Sequence, residues 1–336
     1  MTRILPAGIP SPSSGVLEIG PLSIHAYGLM IALGVVAAVW LTGRRLEQRG
    51  AGTRDDVSNM AVWAVIAGII GARLYHVVTD WSSFQDDPLR IVQIWKGGLG
   101  IPGGLLAGIV VGWWATRRRG VDPRVMATCA APAIALAQSI GRWGNWFNQE
   151  LFGRPTDLPW ALEISDDNIP VGYAPGTTFH PTFLYESLWN LALCGVLIWI
   201  DRRFKLRPPR LMGVYVLGYG IGRFWVEGLR IDEADEFGGL RLNQWVALAM
   251  AALALVYLVV SARRGLVEQD VLVEPDAMVE QGALVEPDAM VEPDAMVEPD
   301  AMVDDVATAD GVLTGSGSDD TSSHGYVAAD ERRDDT

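Results

Sequence analysis

The sequence predicts an all-α integral membrane protein with about seven transmembrane helices, and three observations support this fold class. Hydrophobic residues make up 50% of the 336 residues and gather in long runs with few charges, as is typical of multi-span membrane proteins. The connections between these runs alternate between arginine-rich and arginine-poor. Most of the 13 tryptophans lie near the ends of the runs, where an interfacial aromatic belt is expected.

Each apolar run is close to the roughly 20 residues that a helix needs to cross a bilayer. The seven runs cover residues 22–43, 57–78, 98–116, 125–146, 182–201, 211–229 and 244–262. Lysine and arginine total 15 in the connections on one side of the runs and six on the other side. The positive-inside rule therefore places the N-terminus outside and the C-terminus in the cytoplasm. The N-terminus lacks a basic start followed by an apolar core, so we predict no cleavable signal peptide.

The formal net charge of -14 conceals two different regions. Residues 266–336 hold 20 of the 40 acidic residues and only two basic ones, whereas residues 1–265 carry a net charge of about +4. We predict a polytopic membrane domain over residues 1–265, with a small extracytoplasmic cap over about 147–181, and no nucleic-acid partner. The acidic tail repeats Val-Glu-Pro-Asp-Ala-Met, and its prolines, low hydrophobicity and negative charge predict a disordered cytoplasmic segment without a catalytic role.

Glycines recur every four residues in two of the runs, and this spacing predicts close helix–helix packing. They are Gly100, Gly104, Gly108 and Gly112 in the third run, and Gly218 and Gly222 in the sixth. The stretch 97–104 also contains Pro102 among its glycines, which predicts a broken helix start. Broken backbone at membrane depth is tolerated where it lines a cavity.

Residues 141–154 carry the strongest indication of function. This segment directly continues an apolar run, yet it contains Arg142, Asn145 and Glu150. An ionisable residue at membrane depth is costly and is by default a functional-site hypothesis. A guanidinium, amide groups and glycine backbone N–H groups suit a phosphate or carboxylate ligand.

Three arginines, Arg73, Arg142 and Arg223, fall within predicted spans or at their ends. Buried cations require anionic partners, and two interpretations are open. The arginines pair with glutamates as structural ion pairs, or they share an anionic ligand, which is the interpretation we favour. The glutamates available for ion pairing are Glu150, Glu186 and Glu227.

The two cysteines, Cys129 and Cys194, lie inside apolar runs and are interpreted as small buried hydrophobic residues. They form no disulfide framework or metal-binding pattern. No other cluster has the spacing of a metal site, so we expect neither a metal nor a cofactor.

Five segments in the same order resemble the bacterial phosphatidylglycerol–prolipoprotein diacylglyceryl transferases over about residues 18–262. The segments are 25–30, 71–73, 141–150 followed by 153–154, 180–186 and 218–227. The resemblance implies a multi-pass enzyme of the bacterial plasma membrane. Its partners would be the lipid bilayer, phosphatidylglycerol and a prolipoprotein signal peptide with its lipobox cysteine. The implied reaction joins the diacylglyceryl group to that cysteine as a thioether and releases glycerol phosphate.

The resemblance also implies roles for individual residues. Arg142 and Arg223 match arginines regarded as essential in the family, and we expect them to bind the phosphate, because fixed cations stabilise a leaving group that gains negative charge. Arg73 and Asn145 are further lipid-binding candidates. Tyr27 matches a functionally important tyrosine, with an interfacial aromatic as the alternative.

The remaining candidates have supporting roles. Glu150 would orient Arg142 or bind glycerol, with an ion pair to Arg154 as the alternative. Tyr219 and Glu227 lie one helical turn on either side of Arg223 and would support it. Gly153 matches a family glycine, and we expect its role to be conformational.

One departure from the family pattern concerns the general base. Many members carry a histidine immediately before the paired glycines of the third span, where this chain has Pro102. Proline cannot accept a proton, so the base is left open. The candidates are His180, His25, Glu150 and the leaving phosphate, with His76 a weaker one and a structural role the alternative for His180.

Two other classes of function are open. A transporter or binding protein for an anionic lipid would use the same arginines, although the seven apolar runs do not show the repeat between halves that is common in transporters. A membrane scaffold would use the acidic tail to recruit a partner, but it leaves the arginines and the segment 141–154 unexplained.

Overall fold

The computed structural model describes residues 8–19, 22–85, 87–94 and 97–263. Within these ranges the chain is mostly helical, with seven long helices and one short one. They are α1 (Ala26–Gln48), α2 (Arg54–Thr79), α3 (Ile101–Arg118), α4 (Pro123–Gly141), the short α5 (Trp143–Asn148), α6 (Thr182–Phe204), α7 (Arg210–Glu227) and α8 (Leu242–Ala262). Of the described helices, α1, α2, α6 and α8 are long and apolar enough to cross a membrane. The tail 266–336 lies outside the described residues, and its predicted disorder stays a prediction.

Each long helix overlaps one predicted span, but two predicted boundaries are wrong. The first helix begins at Ala26 rather than residue 22, because Leu22–His25 forms strand β3 and pairs antiparallel with β2 (Val16–Ile19). Apolar and polar residues alternate in β3, as a strand requires. The predicted run 125–146 is divided, since α4 ends at Gly141 and α5 begins at Trp143.

The glycine spacing in α3 reflects close packing, as predicted. A Cβ added to Gly104 would lie 3.1 Å from the Cβ of Ala72, and one added to Gly108 would lie 3.4 Å from the carbonyl oxygen of Ala64. Both contacts are with α2, and the contact at Gly104 is too tight for a larger side chain unless the two helices shift. The broken start is also confirmed, because Gly97 and Gly98 have φ of 87° and 76° before α3 begins.

Helices α4, α6 and α7 share a buried core of aliphatic and small residues, which includes Leu197 and Leu211. At one end of α6, Asp201 lies 2.8 Å from Arg45 and 2.6 Å from Arg49 of α1. Both cysteines are free and buried, as predicted.

The segment 147–181 folds over the start of α6. Strand β4 (Leu162–Glu163) lies between β1 (Ile9–Pro10), which is parallel to it, and β5 (Thr178–Phe179), which is antiparallel. Phe152, Leu162 and Phe179 pack beneath these strands against Phe183 in the first turn of α6. This packing fixes the segment beside the N-terminal end of α6. Two further short strands, β6 (Glu236–Phe237) and β7 (Leu240–Arg241), precede α8.

Candidate active site

Two predicted arginines from different helices meet at one carboxylate. Nε of Arg142, which follows α4, lies 2.6 Å from Oε2 of Glu186 on α6. Nη1 of Arg223 on α7 lies 3.3 Å from Oε1 of the same carboxylate. The Glu186 side chain is 7% exposed, and the two guanidinium groups are 22% and 16% exposed. The site is therefore a partly open pair of cations held by one buried anion.

A second carboxylate, Glu227, is fully buried and lies beneath Arg223. Its Oε2 is 2.8 Å from Nη2 of Arg223, which confirms the predicted contact one turn along α7. The same carboxylate lies 3.4 Å from Arg230 and 3.2 Å from Arg241. Asp232 in turn lies 2.7 Å from Arg230 and 2.9 Å from Arg241. Glu227 thus connects the open arginine to a ring of charges that also includes Arg230, Arg241 and the partly exposed Asp232.

The ionisation of this ring follows from its contacts. Burial alone would raise the pKa of Asp232, but hydrogen bonds and charge from Arg230 and Arg241 outweigh burial and lower it. Burial likewise opposes the charge of Arg230, but Asp232 and Glu227 outweigh it and raise the pKa of the guanidinium. Both side chains are charged around neutral pH.

Asn145 and Glu150 form a local pair at the end of α5. Nδ2 of the buried Asn145 donates to Oε1 of Glu150 at 2.8 Å. In the described part of the chain, Glu150 forms an ion pair with neither Arg142 nor Arg154. The two ion-pairing roles considered for Glu150 are therefore not formed in this structure, and its contact is with Asn145.

Two glycines of the segment 141–154 allow close approach of the surrounding elements. A Cβ on Gly144 would lie 2.6 Å from Cδ2 of Tyr27, which places the Tyr27 ring, 37% exposed, against α5. A Cβ on Gly153 would lie 2.8 Å from Cβ of His180 and 3.1 Å from the Leu229 carbonyl oxygen. These two contacts leave no space for a larger side chain at residue 153. The Gly153 N–H also donates to the His180 carbonyl at 2.9 Å.

His180 lies in a hydrogen-bonded chain that restricts its chemistry. Nε1 of Trp160 donates to the Tyr185 hydroxyl at 3.0 Å, and that hydroxyl lies 3.1 Å from Nδ1 of His180. An indole N–H can only donate, so the Tyr185 oxygen accepts from Trp160. The same hydroxyl can either donate to Nδ1 or accept from it, according to the tautomer of His180. Burial, and then the charge of Arg154, lower the pKa of His180.

Arg73 lies apart from the other two predicted arginines. Its Nε donates to the Ile91 carbonyl at 2.8 Å, and its Nη1 donates to the carbonyls of Gly97 and Gly98 at 2.7 and 2.8 Å. Its Nη2 donates to the Arg90 carbonyl. Arg73 lines a polar cavity of about 350 Å³, which the arginine pair does not line. The three arginines expected to share one ligand are therefore divided into a pair, Arg142 and Arg223, and the separate Arg73.

The other candidates lie in different parts of the structure. Tyr219 lines a cavity of about 10 Å³ together with Arg223 and Glu186. His25 ends β3 immediately before α1, and His76 lines the cavity beside Arg73. Pro102 lies in the first turn of α3.

Comparison with known proteins agrees with this geometry. The family described as prolipoprotein diacylglyceryl transferase matches residues 14–260. A phosphatidylglycerol–prolipoprotein diacylglyceryl transferase of Streptomyces griseus is 51% identical over 260 residues, which are 76% of this chain and 78% of the relative. The chain belongs to the prolipoprotein diacylglyceryl transferase family.

Other members of the family are similarly close. A phosphatidylglycerol–prolipoprotein diacylglyceryl transferase of Streptomyces coelicolor is 51% identical over 261 residues, covering 77% of this chain and 75% of the relative. One of Cutibacterium acnes is 48% identical over 266 residues, covering 78% and 90%. The family membership inferred from the five sequence segments is confirmed.

Sequence reasoning missed part of this candidate site. Arg230 and Arg241 were counted as loop residues on the outer side, yet their side chains are 6% and 8% exposed. It also missed Gln149, which has a φ of 51° and whose side chain binds the Pro12 carbonyl and the Ser165 backbone N–H. The one available signal was the close spacing of Arg230 and Asp232 to the predicted Glu227.

Proposed function

We propose that this chain transfers the diacylglyceryl group of phosphatidylglycerol to the lipobox cysteine of a prolipoprotein. The observation that carries the proposal is the convergence of Arg142 and Arg223 on one carboxylate. Two guanidinium groups from different helices are thereby held close together, at an opening in a largely apolar protein. Such a pair suits a phosphate group, and the membership in the transferase family agrees with it.

The reaction requires a thiolate, because the thiol is a weak nucleophile. The thiolate sulfur attacks the glyceryl carbon next to the phosphate, and a C–S bond forms while the C–O bond breaks. The electron pair of that bond remains on the phosphate oxygen, so the glycerol phosphate leaves with one additional negative charge. Arg142 and Arg223 stabilise this charge as it develops.

Glu186 holds the two arginines in place without using all their donors. In the described part of the structure Arg142 makes its one ion pair through Nε, which leaves both of its Nη groups for a ligand. Arg223 is fixed from two sides, by Glu186 and by Glu227. Preorganised cations of this kind need little rearrangement during the reaction.

The neighbouring residues would position the lipid headgroup. Asn145 donates to Glu150 and so orients a carboxylate that can accept from the glycerol hydroxyls. Tyr27 would contact the lipid at the edge of α5, and Tyr219 would support Arg223. Gly153 keeps His180 close to the segment 141–154.

The proton of the cysteine thiol must go to a group other than residue 102, because Pro102 has no acceptor. In the tautomer that accepts at Nδ1 from the Tyr185 hydroxyl, the neutral imidazole of His180 is a donor through Nε2–H. We therefore assign to His180 the role of hydrogen-bond donor, which suits a phosphate oxygen. Arg73, whose guanidinium is bound by backbone carbonyls, receives a positioning role for the loop before α3.

The seven long helices would span the bacterial plasma membrane with the N-terminus outside and the C-terminus in the cytoplasm. Fifteen lysines and arginines on one side of the spans, against six on the other, support this orientation. The segment 147–181 would then form the extracytoplasmic cap, and residues 266–336 a separate cytoplasmic tail. The arginine pair would lie at the outer end of α4 and α7.

A reconstituted assay tests the function directly. Purified full-length protein would be mixed with phosphatidylglycerol vesicles and a lipobox peptide, and mass spectrometry would detect a diacylglyceryl mass gain on cysteine. The gain should require phosphatidylglycerol and be absent from a Cys→Ser peptide. Lipid binding without any mass gain would instead favour the lipid-binding or transport function.

A further inference from the structure

The ion pairs around Glu227 join seven side chains, and their charges do not cancel. Four of these side chains are cationic and three are anionic. They are Arg142, Arg223, Arg230 and Arg241, and Glu186, Glu227 and Asp232. Connected ion pairs in the described part of the chain therefore leave one positive charge unmatched. Uncompensated charge in a buried position is costly and favours an anionic ligand.

The unmatched charge reaches the open end of the cluster. Glu227 and Asp232 each contact both Arg230 and Arg241. Glu227 also lies 2.8 Å from Arg223, which shares the carboxylate of Glu186 with Arg142. The excess positive charge is therefore shared across the cluster, and the partly exposed Arg142 and Arg223 present it to a ligand.

We infer that Asp232 is a specificity-determining residue, whose negative charge lowers the positive charge of the cluster and so reduces its preference for a phosphate monoester over a phosphodiester. This inference rests on the proposed function. A phosphodiester such as phosphatidylglycerol carries one negative charge, whereas a monoester carries about 1.5 to 2 at pH 7. A cationic site attracts the glycerol phosphate product more strongly than the substrate headgroup, and Asp232 weakens this additional attraction.

The position of Asp232 suits this role. Its side chain is 30% exposed and lies outside the helices, in the connection between α7 and α8. It is bound to Arg230 and Arg241 but, among the described residues, to neither Arg142 nor Arg223. A change of its charge therefore alters the field at the site while the contacts of the open arginine pair are kept. The lowered pKa of Asp232 keeps this charge constant around neutral pH.

Three variants set the charge of the cluster independently of the open arginines. Asp232→Asn raises it by one, Arg230→Gln lowers it by one, and the double variant restores the original count. The measurement is the ratio of two inhibition constants for the transfer reaction. One inhibitor is glycerol phosphate, a monoester, and the other is glycerophosphoglycerol, a monoanionic diester. The ratio cancels contacts that both headgroups share.

The expected shift in the ratio of inhibition constants follows from Coulomb's law. Each single variant changes the charge of the protein by one unit, and the two inhibitors differ by about one unit of charge. At an effective dielectric constant near 20 and a separation on the order of 10 Å, this interaction changes the ratio by about tenfold. Asp232→Asn should shift the ratio about tenfold toward the monoester, and Arg230→Gln about tenfold toward the diester. The double variant should return within about threefold of the unmodified protein.

A matched control separates local charge from general electrostatics. Asp235 is an exposed aspartate of the same connection, and Asp235→Asn should leave the ratio unchanged. An unchanged ratio in Asp232→Asn, with transfer intact, would overturn the inference, as would equal shifts in the two aspartate variants. Where Asp232→Asn does not fold, Arg230→Gln and the double variant test the same charge dependence.

The inference and the proposed function can fail separately. Absence of transfer by the unmodified protein would overturn the function, and headgroup binding can still be measured as the rise in melting temperature that each inhibitor causes. A preference between the two headgroups that responds to Asp232 in that measurement would support the charge-setting role. A preference that ignores Asp232 would overturn it.

Discussion

The arginine pair and Arg73 show two different uses of a buried arginine in one protein. Arg142 and Arg223 face carboxylates and remain partly open. The Arg73 guanidinium is instead bound by four backbone carbonyls and is 7% exposed as a residue. A carbonyl is neutral, so the Arg73 site keeps a positive charge but has few donors left for a ligand. A position at membrane depth shows that burying the arginine costs free energy. The groups that bind the guanidinium then distinguish a ligand-binding arginine from a structural one.

The largest expected effect is on the open pair. Arg142→Ala should lower kcat/KM for transfer by about a thousandfold, because a preorganised donor to developing negative charge is removed. Transfer would be measured with phosphatidylglycerol vesicles and a lipobox peptide. The control is the melting temperature of the purified variant, which should stay near that of the unmodified protein. Near-normal turnover would exclude Arg142 from phosphate binding.

Arg73 should respond in the opposite way. Arg73→Gln removes a group that binds four carbonyls of partly buried or exposed residues, and each lost hydrogen bond to a charged donor costs at most about 1.5–3 kcal/mol. We expect a melting temperature several degrees lower, with kcat/KM per folded protein reduced less than about threefold. Thermal unfolding and the transfer assay would be run on the same preparation. A large loss of kcat/KM without loss of stability would make Arg73 part of the lipid site and end the distinction.

The sequence predicted the open pair better than the elements that support it. Arg142 and Arg223 were identifiable because they interrupt apolar runs, and Glu227 because it lies one helical turn from Arg223. Arg230 and Arg241 lie in a connection, where charges are normally exposed. Their burial depends on the fully buried Glu227 carboxylate, which attracts both. The spacing of Glu227 and Arg230 is a local signal, whereas no local pattern indicates the contact with Arg241. Likewise the start of α1 was misplaced, because the four residues of β3 are too few to separate a strand from a helix by periodicity.

A smaller effect is expected at the edge of the open pair. Burial and the charge of Arg154 lower the pKa of His180 below its unfolded value. The unfolded chain therefore binds a proton first as the pH falls, and His180 reduces stability below about pH 6.5. In the tautomer proposed for His180, Tyr185→Phe removes the donor to Nδ1 and so destabilises the neutral imidazole. The pKa of His180 should rise, and the loss of stability on acidification should become smaller.

Histidine-labelled protein would allow this pKa to be measured by NMR. The chain has four histidines, so single His→Gln variants can assign each signal. Trp160→Phe is the matched control, since it leaves the Tyr185 hydroxyl in place and should move the His180 pKa less. A pKa that does not change in Tyr185→Phe would remove the donor assignment and make His180 available again as a base.

The smallest effect is expected at Pro102, which lies on the Arg73 side of the comparison. Gly100, the residue before α3, donates its backbone N–H to the Ala72 carbonyl at 2.8 Å, which ties the start of α3 to the Arg73 region. Pro102→His would restore the residue that many family members carry at this position. If proton transfer in this chain depends on other groups, kcat should change less than about threefold, well below the roughly hundredfold or greater gains of an installed general base. The pH dependence of kcat would be compared in both proteins, with Pro102→Gln as the control for helix geometry. A large gain that requires the neutral imidazole would mean that the start of α3 reaches the reacting thiol, and the two arginine regions would then serve one active site.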